Sequence, residues 1–214
     1  MTKLRMEISI SLDGYIAGPN ATIEEPLGEN GERLHDWVFK LASFREHHGG
    51  EGGERNADDE ILAESIAATG ATVMGRKMFS GGSGAWEDDP MADGWWGDDP
   101  PFHGPVFILT HHAREPVVKK GGTTFTFVTD GIESALAQAR AAAGDKDVAL
   151  GGGADVARQY LDAGLLDEIQ IHLAPILLGG GVRLFDGIEG APLNWKATRV
   201  VSSPEVTHIR LVTR

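Results

Sequence analysis

The chain has 214 residues, no cysteine, and 32 acidic against 19 basic residues, which gives a net charge of −13. The lack of cysteine excludes disulfides, thiolate nucleophiles and iron–sulfur sites, and the negative charge opposes binding to nucleic-acid phosphates. The length suits one domain, predicted over residues 1–214, and the lack of a signal peptide or long apolar run predicts a cytoplasmic protein without membrane contact.

Strands alternate with helices along most of the chain. Apolar residues at every second position, or in short runs, predict strands at 4–10, 71–74, 106–110, 124–128, 148–150, 168–173, 195–202 and 206–213. Helical spacing predicts helices at 34–47, 57–68, 132–143 and 154 to about 164. This order predicts a mixed, mostly parallel α/β sheet with helices on both faces and a C-terminal antiparallel hairpin.

Three long loops interrupt the pattern, at about 18–33, 48–56 and 80–104. The third loop is rich in glycine, aspartate and proline, and it holds three of the five tryptophans of the chain. Such a loop is typical of a lid over a substrate or of a contact between subunits. A surface loop that packs on its own side chains is the alternative interpretation.

A glycine turn at 151–153 joins an apolar strand to the helix that begins at Ala154. Glycines let the backbone approach a ligand closely, and a helix N-terminus favours anions, so this turn predicts a phosphate site. A second triplet, 179–181, ends another apolar run, and together the two favour a ligand site over two simple tight turns. The first triplet lacks the third glycine and the ribose-binding acid of the classical dinucleotide fingerprint, which argues against a classical NAD domain.

A second candidate phosphate site follows the strand at 71–74, where Gly75 precedes Arg76 and Lys77. A guanidinium can bind a phosphate with two hydrogen bonds, and an ammonium adds a point charge. Arg114, four residues beyond the strand that ends at Thr110, is a further candidate. A solvated basic pair is the alternative, but beside a pyrophosphate turn the pair favours NADP over NAD.

Five segments, in order and spanning nearly the whole chain, resemble the dihydrofolate reductase-like superfamily. Within it they are most similar to stand-alone relatives of the C-terminal reductase domain of the bifunctional riboflavin-biosynthesis deaminase-reductase. The segments are SLDGYIAGP (11–19), VMGRKMF (73–79), FILTHH (107–112), LGGGADVARQYL (150–161) and DEIQIHLAPILLGGGVRLF (167–185). The resemblance implies a three-layer dihydrofolate reductase-like fold, NADPH as cofactor and a homodimer.

The resemblance also implies where NADPH lies, across the carboxyl ends of the strands. In the family, the counterpart of 75–77 meets the adenosine phosphate, the turn at 110–111 helps to hold it, and the glycine turn wraps the pyrophosphate. The segment around Ala17 resembles the one that borders the nicotinamide. With Arg114 added from its charge and position, the predicted cofactor residues are Ala17, Gly75, Arg76, Lys77, Thr110, His111, Arg114, Gly151, Gly152, Gly153, Ala154, Asp155 and Val156.

The substrate is expected to be a small molecule. Asp36, near the start of a predicted helix, resembles the carboxylate with which dihydrofolate reductases assist protonation, and burial would raise its pKa as a proton donor requires. A helix cap is the alternative role for Asp36. Asp13 resembles a structural turn aspartate of the family. The predicted substrate pocket consists of Trp37, Phe79, Trp86, Leu178, Gly179 and Gly180.

These features together predict an NADPH-dependent reductase that transfers hydride to a C=N or C=O of a small heterocyclic or ribosyl-type substrate. The alternative is an NADP(H)-binding protein without turnover, acting as a ligand sensor or protein-interaction module. A weaker alternative uses a flavin or deazaflavin. The adjacent histidines at 47–48 and 111–112 point apart, so no metal site is predicted.

Overall fold

The computed structural model describes residues 2–82, 84–188 and 194–213. Its strands are β1 (Leu4–Ser11), β2 (Tyr15–Ala17), β3 (Thr69–Gly75), β4 (Pro105–Leu109), β5 (Val117–Val118), β6 (Thr124–Val128), β7 (Asp147–Gly152), β8 (Glu168–Ala174), β9 (Val182–Arg183), β10 (Trp195–Ser202) and β11 (Thr207–Thr213). Its α-helices are α1 (Ala42–His47), α2 (Ala57–Ala68), α3 (Arg76–Ser80), α4 (Ile132–Ala143) and α5 (Ala154–Asp162). Short 3-10 helices lie at Gly31–His35, Trp86–Asp88 and Lys120–Gly122.

The chain divides into two compact units, both discontinuous in sequence. The first unit consists of Met1–Met6 and Thr69–Leu165, and the second consists of Glu7–Ala68 and Leu166–Arg214. The single domain expected over residues 1–214 remains a prediction. None of the helices in the described ranges combines the length and apolar character needed to cross a bilayer.

In the first unit, the hydrogen-bonded strand order is β1-β7-β3-β4-β6-β5. The neighbours from β1 to β6 are parallel, and β5 runs antiparallel to β6 at the edge. Helix α4 packs on β3 and β4 with a buried stripe at helical spacing, Ala135, Leu136, Ala139 and Ala143. Because parallel strands end on the same side, the turns after β3, β4, β6 and β7 lie along one edge of the sheet.

In the second unit, the order β10-β11-β8 continues to the remaining residues of β1, and the C-terminal hairpin β10–β11 and the pair β8–β11 are antiparallel. Strand β2 pairs with β9 in a separate small antiparallel sheet. The predicted mixed, mostly parallel α/β sheet with a C-terminal antiparallel hairpin is therefore confirmed.

The helix predicted at 34–47 is replaced by a 3-10 helix that ends at His35 and by α1, which begins at Ala42. Between them, the Glu54 amide donates to the carbonyl of Lys40 at 2.8 Å, and the Ala42 amide donates to the carbonyl of Glu54 at 2.9 Å. These bonds use main-chain groups that a continuous helix would need for itself. The apolar spacing was correct, but a longer-range backbone pairing divides the segment.

Strand β8 also differs from the simple alternation that its sequence suggests. Its polar residues Glu168, Gln170 and His172 are buried, although alternation predicts only the isoleucine and leucine side as the core face. Each polar side chain meets a partner on β11, since Arg210 contacts the first two and His208 contacts His172. Buried polar groups of this kind are tolerated because they are hydrogen-bonded.

Candidate functional site

The predicted cofactor residues of the first unit lie at the carboxyl ends of its parallel strands. Met74 pairs with Gly152 across β3 and β7, and Gly75 pairs with Leu109 across β3 and β4. Thr110 and His111 therefore begin their turn beside the ends of these strands. Open α/β sheets bind ligands at this edge. Ala17, the remaining predicted cofactor residue, lies on β2 in the second unit.

The glycine turn leads directly into α5. Gly153 immediately precedes the helix, and no described side chain caps its first turn, so the first amide groups are available to an anion. A Cβ placed on Gly153 would meet no described atom within 4 Å, so the turn is open on that side. Asp155, in the first turn, is exposed and forms an ion pair with Arg158 at 3.2 Å.

The glycine turn packs against the turn that follows β3. A Cβ on Gly75 would lie 2.7 Å from Cγ2 of Val156 and 3.7 Å from the carbonyl oxygen of Gly152. Val156 is buried on the first turn of α5. Glycine at position 75 therefore allows the two predicted phosphate-binding turns to lie side by side.

Arg76, a predicted phosphate ligand, is buried. Its side chain is 6% exposed, and Nε donates to the Ser80 hydroxyl at 2.9 Å. Nη2 forms an ion pair with Asp89, and the guanidinium carbon lies 3.2 Å from the centre of the Trp86 ring. Nη1 is buried and has no hydrogen-bond partner in the described part of the chain.

The carboxylate of Asp89 is held in its ionised form by these contacts. Burial by itself would raise the pKa of Asp89, but hydrogen bonds from Arg76 and Ser80 and the main-chain amide of Met91 lower it below its ordinary value. The hydroxyl of Ser80 donates to Asp89 Oδ2 at 2.7 Å and also accepts from Arg76. The three side chains therefore form one hydrogen-bonded group.

The other predicted phosphate ligands differ in exposure. Lys77 is exposed, and so is His111. Thr110 is buried, and its hydroxyl accepts a hydrogen bond from the His112 amide at 3.1 Å, which shapes the turn after β4. Lys77 is thus the predicted cation of this edge that is most accessible to solvent.

Arg114 is bound by the same loop that supplies Asp89. Its Nη2 pairs with Asp93 at 3.0 Å, and its Nη1 donates to the carbonyl oxygen of Ala92. Its guanidinium carbon also lies 4.7 Å from the centre of the Trp86 ring. Both predicted phosphate-binding arginines are therefore paired with aspartates of the loop at 80–104.

This loop packs on the first unit itself. Trp86 donates from Nε1 to the carbonyl oxygen of His112 at 2.8 Å, and it packs with Trp96 on a core cluster of Met74, Phe79, Val106, Ile108 and Phe125. The loop therefore packs on residues outside itself, and the interpretations as a lid, a subunit contact or a self-packed loop remain predictions. Phe79 is 0% exposed, so it does not line an open pocket here, in contrast to its predicted role; Trp86 is partly buried against the same cluster.

On the substrate side, in the second unit, Asp36 is exposed and follows a 3-10 helix instead of starting an α-helix. The burial on which its predicted role as proton donor depended is absent, and it does not occupy the predicted N-cap position. Trp37 is only 4% exposed, its Nε1 donates to the Ser9 hydroxyl at 3.2 Å, and its ring lies tilted against that of His172 with 4.7 Å between the ring centres. Trp37 is therefore a core residue in this structure and not part of an open pocket surface.

Asp13 anchors the turn that contains the predicted pocket residues Leu178 and Gly179. Its carboxylate accepts hydrogen bonds from the Ser11 hydroxyl at 2.6 Å and from the amides of Leu178 and Gly179 at 3.2 and 2.7 Å. The Ser11 bond, followed by those from the two amides, lowers the pKa of Asp13 to about 2. These contacts fit the structural role that the resemblance implies for Asp13.

The second glycine triplet, which includes the predicted pocket residue Gly180, does not end a strand as the sequence suggested. It precedes β9, which pairs with β2. Gly181 has φ +121°, and a Cβ there would lie 2.1 Å from the carbonyl oxygen of Ala17. This glycine is needed for the close approach of two backbone segments.

Sequence reasoning missed a buried polar cluster in the second unit. His172 and His208 are joined through their Nδ1 atoms at 2.7 Å, and His208 Nε2 lies 3.0 Å from Asp58 Oδ1. Glu7 lies 3.8 Å from His172 Nε2. The register of β8 and β11 places the two histidines opposite each other, and polar residues at matching positions of two strands were the available signal. Within the described residues, no group of three or more histidine, aspartate or glutamate side chains is arranged to hold a metal ion.

Comparison with solved structures gives the same fold. A riboflavin biosynthesis protein of Shewanella sp. PV-4 is 24% identical with a TM-score of 0.65, and the match covers 100% of this chain and 99% of that one. The diaminohydroxyphosphoribosylaminopyrimidine deaminase/5-amino-6-(5-phosphoribosylamino)uracil reductase of Thermotoga maritima is 14% identical with a TM-score of 0.57. Acinetobacter baumannii RibD is 18% identical, also with a TM-score of 0.57.

The match covers 100% of this chain in the last two comparisons, but only 57% of the Thermotoga chain and 58% of the Acinetobacter chain. No match was found among curated proteins. The family described as RibD C-terminal domain matches residues 2–209, which is nearly the full length. The chain belongs to the RibD C-terminal domain family.

Proposed function

We propose that the chain is an NADPH-dependent reductase that transfers hydride to a C=N or C=O of a small heterocyclic or ribosyl-type substrate. Membership of the RibD C-terminal domain family supports a reductase of the riboflavin-pathway type. The observation that carries the finer proposal is the contact between Gly75 and Val156, because it sets the glycine turn beside the turn that bears Arg76 and Lys77.

The residues of the first unit fit the two anionic ends of a phosphorylated dinucleotide. The uncapped amides at the start of α5 and the open side of Gly153 suit the pyrophosphate. The exposed ammonium of Lys77 is suited to the separate phosphate at the adenosine end. The proposed NADPH would therefore lie along the carboxyl edge of β3, β4 and β7.

When bound, NADPH supplies the hydride, and the protein contributes binding, orientation and exclusion of water. Thr110 shapes the turn after β4, and Gly75 fixes the spacing of the two phosphate-binding turns. Because Asp36 is exposed, we propose that an ordered water, not this carboxyl group, delivers the proton to the reduced substrate.

A titration of the purified chain with NADPH, followed by nucleotide fluorescence and thermal unfolding, tests the binding step. Saturable binding of NADPH, tighter than that of NADH, is expected. Consumption of NADPH, followed by absorbance across a panel of pyrimidine, pterin and ribosyl substrates, tests turnover. Absence of NADPH binding would eliminate the proposal.

The alternative of NADP(H) binding without turnover has one observation in its favour. Asp36 is exposed, while Trp37 and Phe79 are buried in the cores of their units, so the predicted catalytic and pocket residues do not present a formed substrate surface. This alternative expects NADPH affinity but no oxidation with any substrate of the panel.

We also propose that the chain forms a homodimer, on the basis of the family resemblance. Sedimentation equilibrium of the purified protein measures this directly. A mass near twice the 22.9 kDa of the chain is expected, whereas a mass equal to that of one chain would contradict it.

A further inference from the structure

We propose that Asp89 determines how strongly this chain selects a dinucleotide with a 2′-phosphate, because its carboxylate occupies the guanidinium of Arg76. The inference rests on the proposed function, since it concerns the adenosine end of the proposed NADPH site. A phosphate that binds Arg76 through two parallel hydrogen bonds must compete with the groups that already hold Nε and Nη2, of which Asp89 carries the charge. Asp89 therefore lowers the preference of the chain for NADPH over NADH.

The ion pair of Arg76 and Asp89 is shielded from solvent. The side chains of Arg76 and Asp89 are 6% and 2% exposed. Ser80 bridges them, since it accepts from Arg76 Nε at 2.9 Å and donates to Asp89 Oδ2 at 2.7 Å. Trp86 covers the guanidinium plane. Of the three guanidinium nitrogens, two are already engaged by these contacts.

The contacts with Ser80 and Asp89 leave out one nitrogen of the Arg76 guanidinium, Nη1. Nη1 of Arg76 is buried and has no hydrogen-bond partner in the described ranges. A buried charged donor without a partner is costly, and a ligand oxygen would relieve that cost. Arg76 thus keeps one nitrogen, Nη1, for a phosphate. Two parallel hydrogen bonds would need a second nitrogen, and Nη2 is already paired with the Asp89 carboxylate.

The charge of Asp89 opposes the binding of a phosphate at Arg76. A phosphate monoester carries more than one negative charge near neutral pH, and at Arg76 it would lie close to the ionised Asp89. The attraction of the guanidinium is then largely cancelled by the neighbouring carboxylate. The charge of Lys77 remains available, so a preference for the 2′-phosphate persists but is smaller than two free cations would give.

The direct test compares Asp89→Asn with the control Asp88→Asn. Asp88 is the exposed neighbour of Asp89, so both variants lose the same formal charge from the same loop. Dissociation constants for NADPH and NADH are measured by calorimetry for the wild type and both variants. Asp89→Asn is expected to raise the NADPH-to-NADH affinity ratio about tenfold or more, and Asp88→Asn to change it less than about twofold.

An unchanged or reduced ratio in Asp89→Asn would overturn the proposal and leave the pair with a structural role only. Asp89→Glu provides a further check, because it keeps the competing charge and is expected to keep a ratio close to that of the wild type. If Asp89→Glu raised the ratio as much as Asp89→Asn, competition by charge would be the wrong explanation.

Asp89→Asn leaves the buried charge of Arg76 without its counterion and is therefore expected to lower thermal stability. Inorganic phosphate is used as a second probe, with the unfolding temperature recorded as its concentration rises. The proposal expects phosphate to stabilise Asp89→Asn more than the wild type, while Asp88→Asn responds as the wild type does. Equal responses in all three proteins would refute it.

A milder variant, Ser80→Ala, removes the bridging hydroxyl and retains both charges. It is expected to raise the NADPH-to-NADH ratio in the same direction as Asp89→Asn, by a smaller factor. These readouts also separate the two proposals. If no dinucleotide binds any variant, the proposed reductase function fails, whereas the phosphate response still decides whether Asp89 competes for Arg76.

Discussion

Gly75 and Val156 lie so close together that a Cβ on Gly75 would come within 2.7 Å of Cγ2 of Val156. Valine is branched at Cβ and has little freedom to move away, so the contact fixes the distance between the end of β3 and the first turn of α5. The separation of the two proposed phosphate-binding turns therefore depends on one missing methyl group.

Replacement Gly75→Ala should destabilise the chain by about 1–3 kcal/mol, because the added methyl group overpacks a tight contact. It should also weaken NADPH binding, since α5 must shift. Urea unfolding and calorimetry measure the two effects. The matched control is Gly153→Ala, whose Cβ would meet no described atom within 4 Å. The control should also lose NADPH affinity, but without the loss of stability that overpacking causes. If Gly75→Ala were as stable as the wild type, the Val156 side chain would have to move aside at little cost in free energy.

Replacement Lys77→Ala should lower the NADPH-to-NADH affinity ratio about tenfold, through loss of one charge contact with the 2′-phosphate. Because Lys77 is exposed, the unfolding temperature of the Lys77→Ala protein should stay close to that of the wild type. Lys146→Ala is the control, since it removes an equally exposed lysine that precedes β7 at the opposite edge of the sheet. A ratio that is the same in both variants would argue against a phosphate at Lys77.

Replacement Asp13→Asn should remove part of the acid sensitivity of the chain. The folded-state pKa of Asp13 is lowered to about 2 from 3.8, so the ionised carboxylate stabilises the fold above pH 3.8. That contribution is lost as the pH falls from 3.8 towards 2. The difference in unfolding temperature between wild type and Asp13→Asn should be largest near neutral pH and shrink across this window. A difference independent of pH would contradict the prediction.

His208 and His35 should destabilise the chain at acid pH. Burial lowers the pKa of His208, and His172 lowers it further, while Asp58 and Glu7 act in the opposite direction. Burial likewise lowers the pKa of His35 below 6.5. The nearby His172 lowers the pKa of His35 further, whereas Asp36 raises it. A lowered pKa means that the unfolded chain binds more protons below pH 6.5, so stability should fall as the pH drops from about 7.5 to 5.

Replacement His35→Phe isolates one contribution to this effect. It removes a titrating group and a buried Nδ1 that has no partner among the described residues. The slope of unfolding free energy against pH between 7.5 and 5 should be shallower than in the wild type. Urea unfolding at several pH values measures it, and an unchanged slope would assign the effect to His208.

The sequence was sufficient where structure depends on local patterns. The bounds of α2, α4 and β6 agree with the predicted ranges. For α4, an apolar stripe at helical spacing and the flanking glycines Gly131 and Gly144 lie within one segment of the chain. Because strands alternate with helices, the strands are expected to run parallel. The turns after β3, β4 and β7 are then expected at the same edge of the sheet, at the carboxyl ends of these strands.

The partners of the charged and polar residues depend on the three-dimensional fold. Arg76 pairs with Asp89 across 13 positions, and His172 meets His208 across 36, on paths set by a loop and a strand register that no local period records. The division of the helix predicted at 34–47 depends likewise on backbone hydrogen bonds of Glu54 with Lys40 and Ala42. Periodicity reports which face of an element is apolar, whereas the partner of a buried charge depends on where distant segments come together.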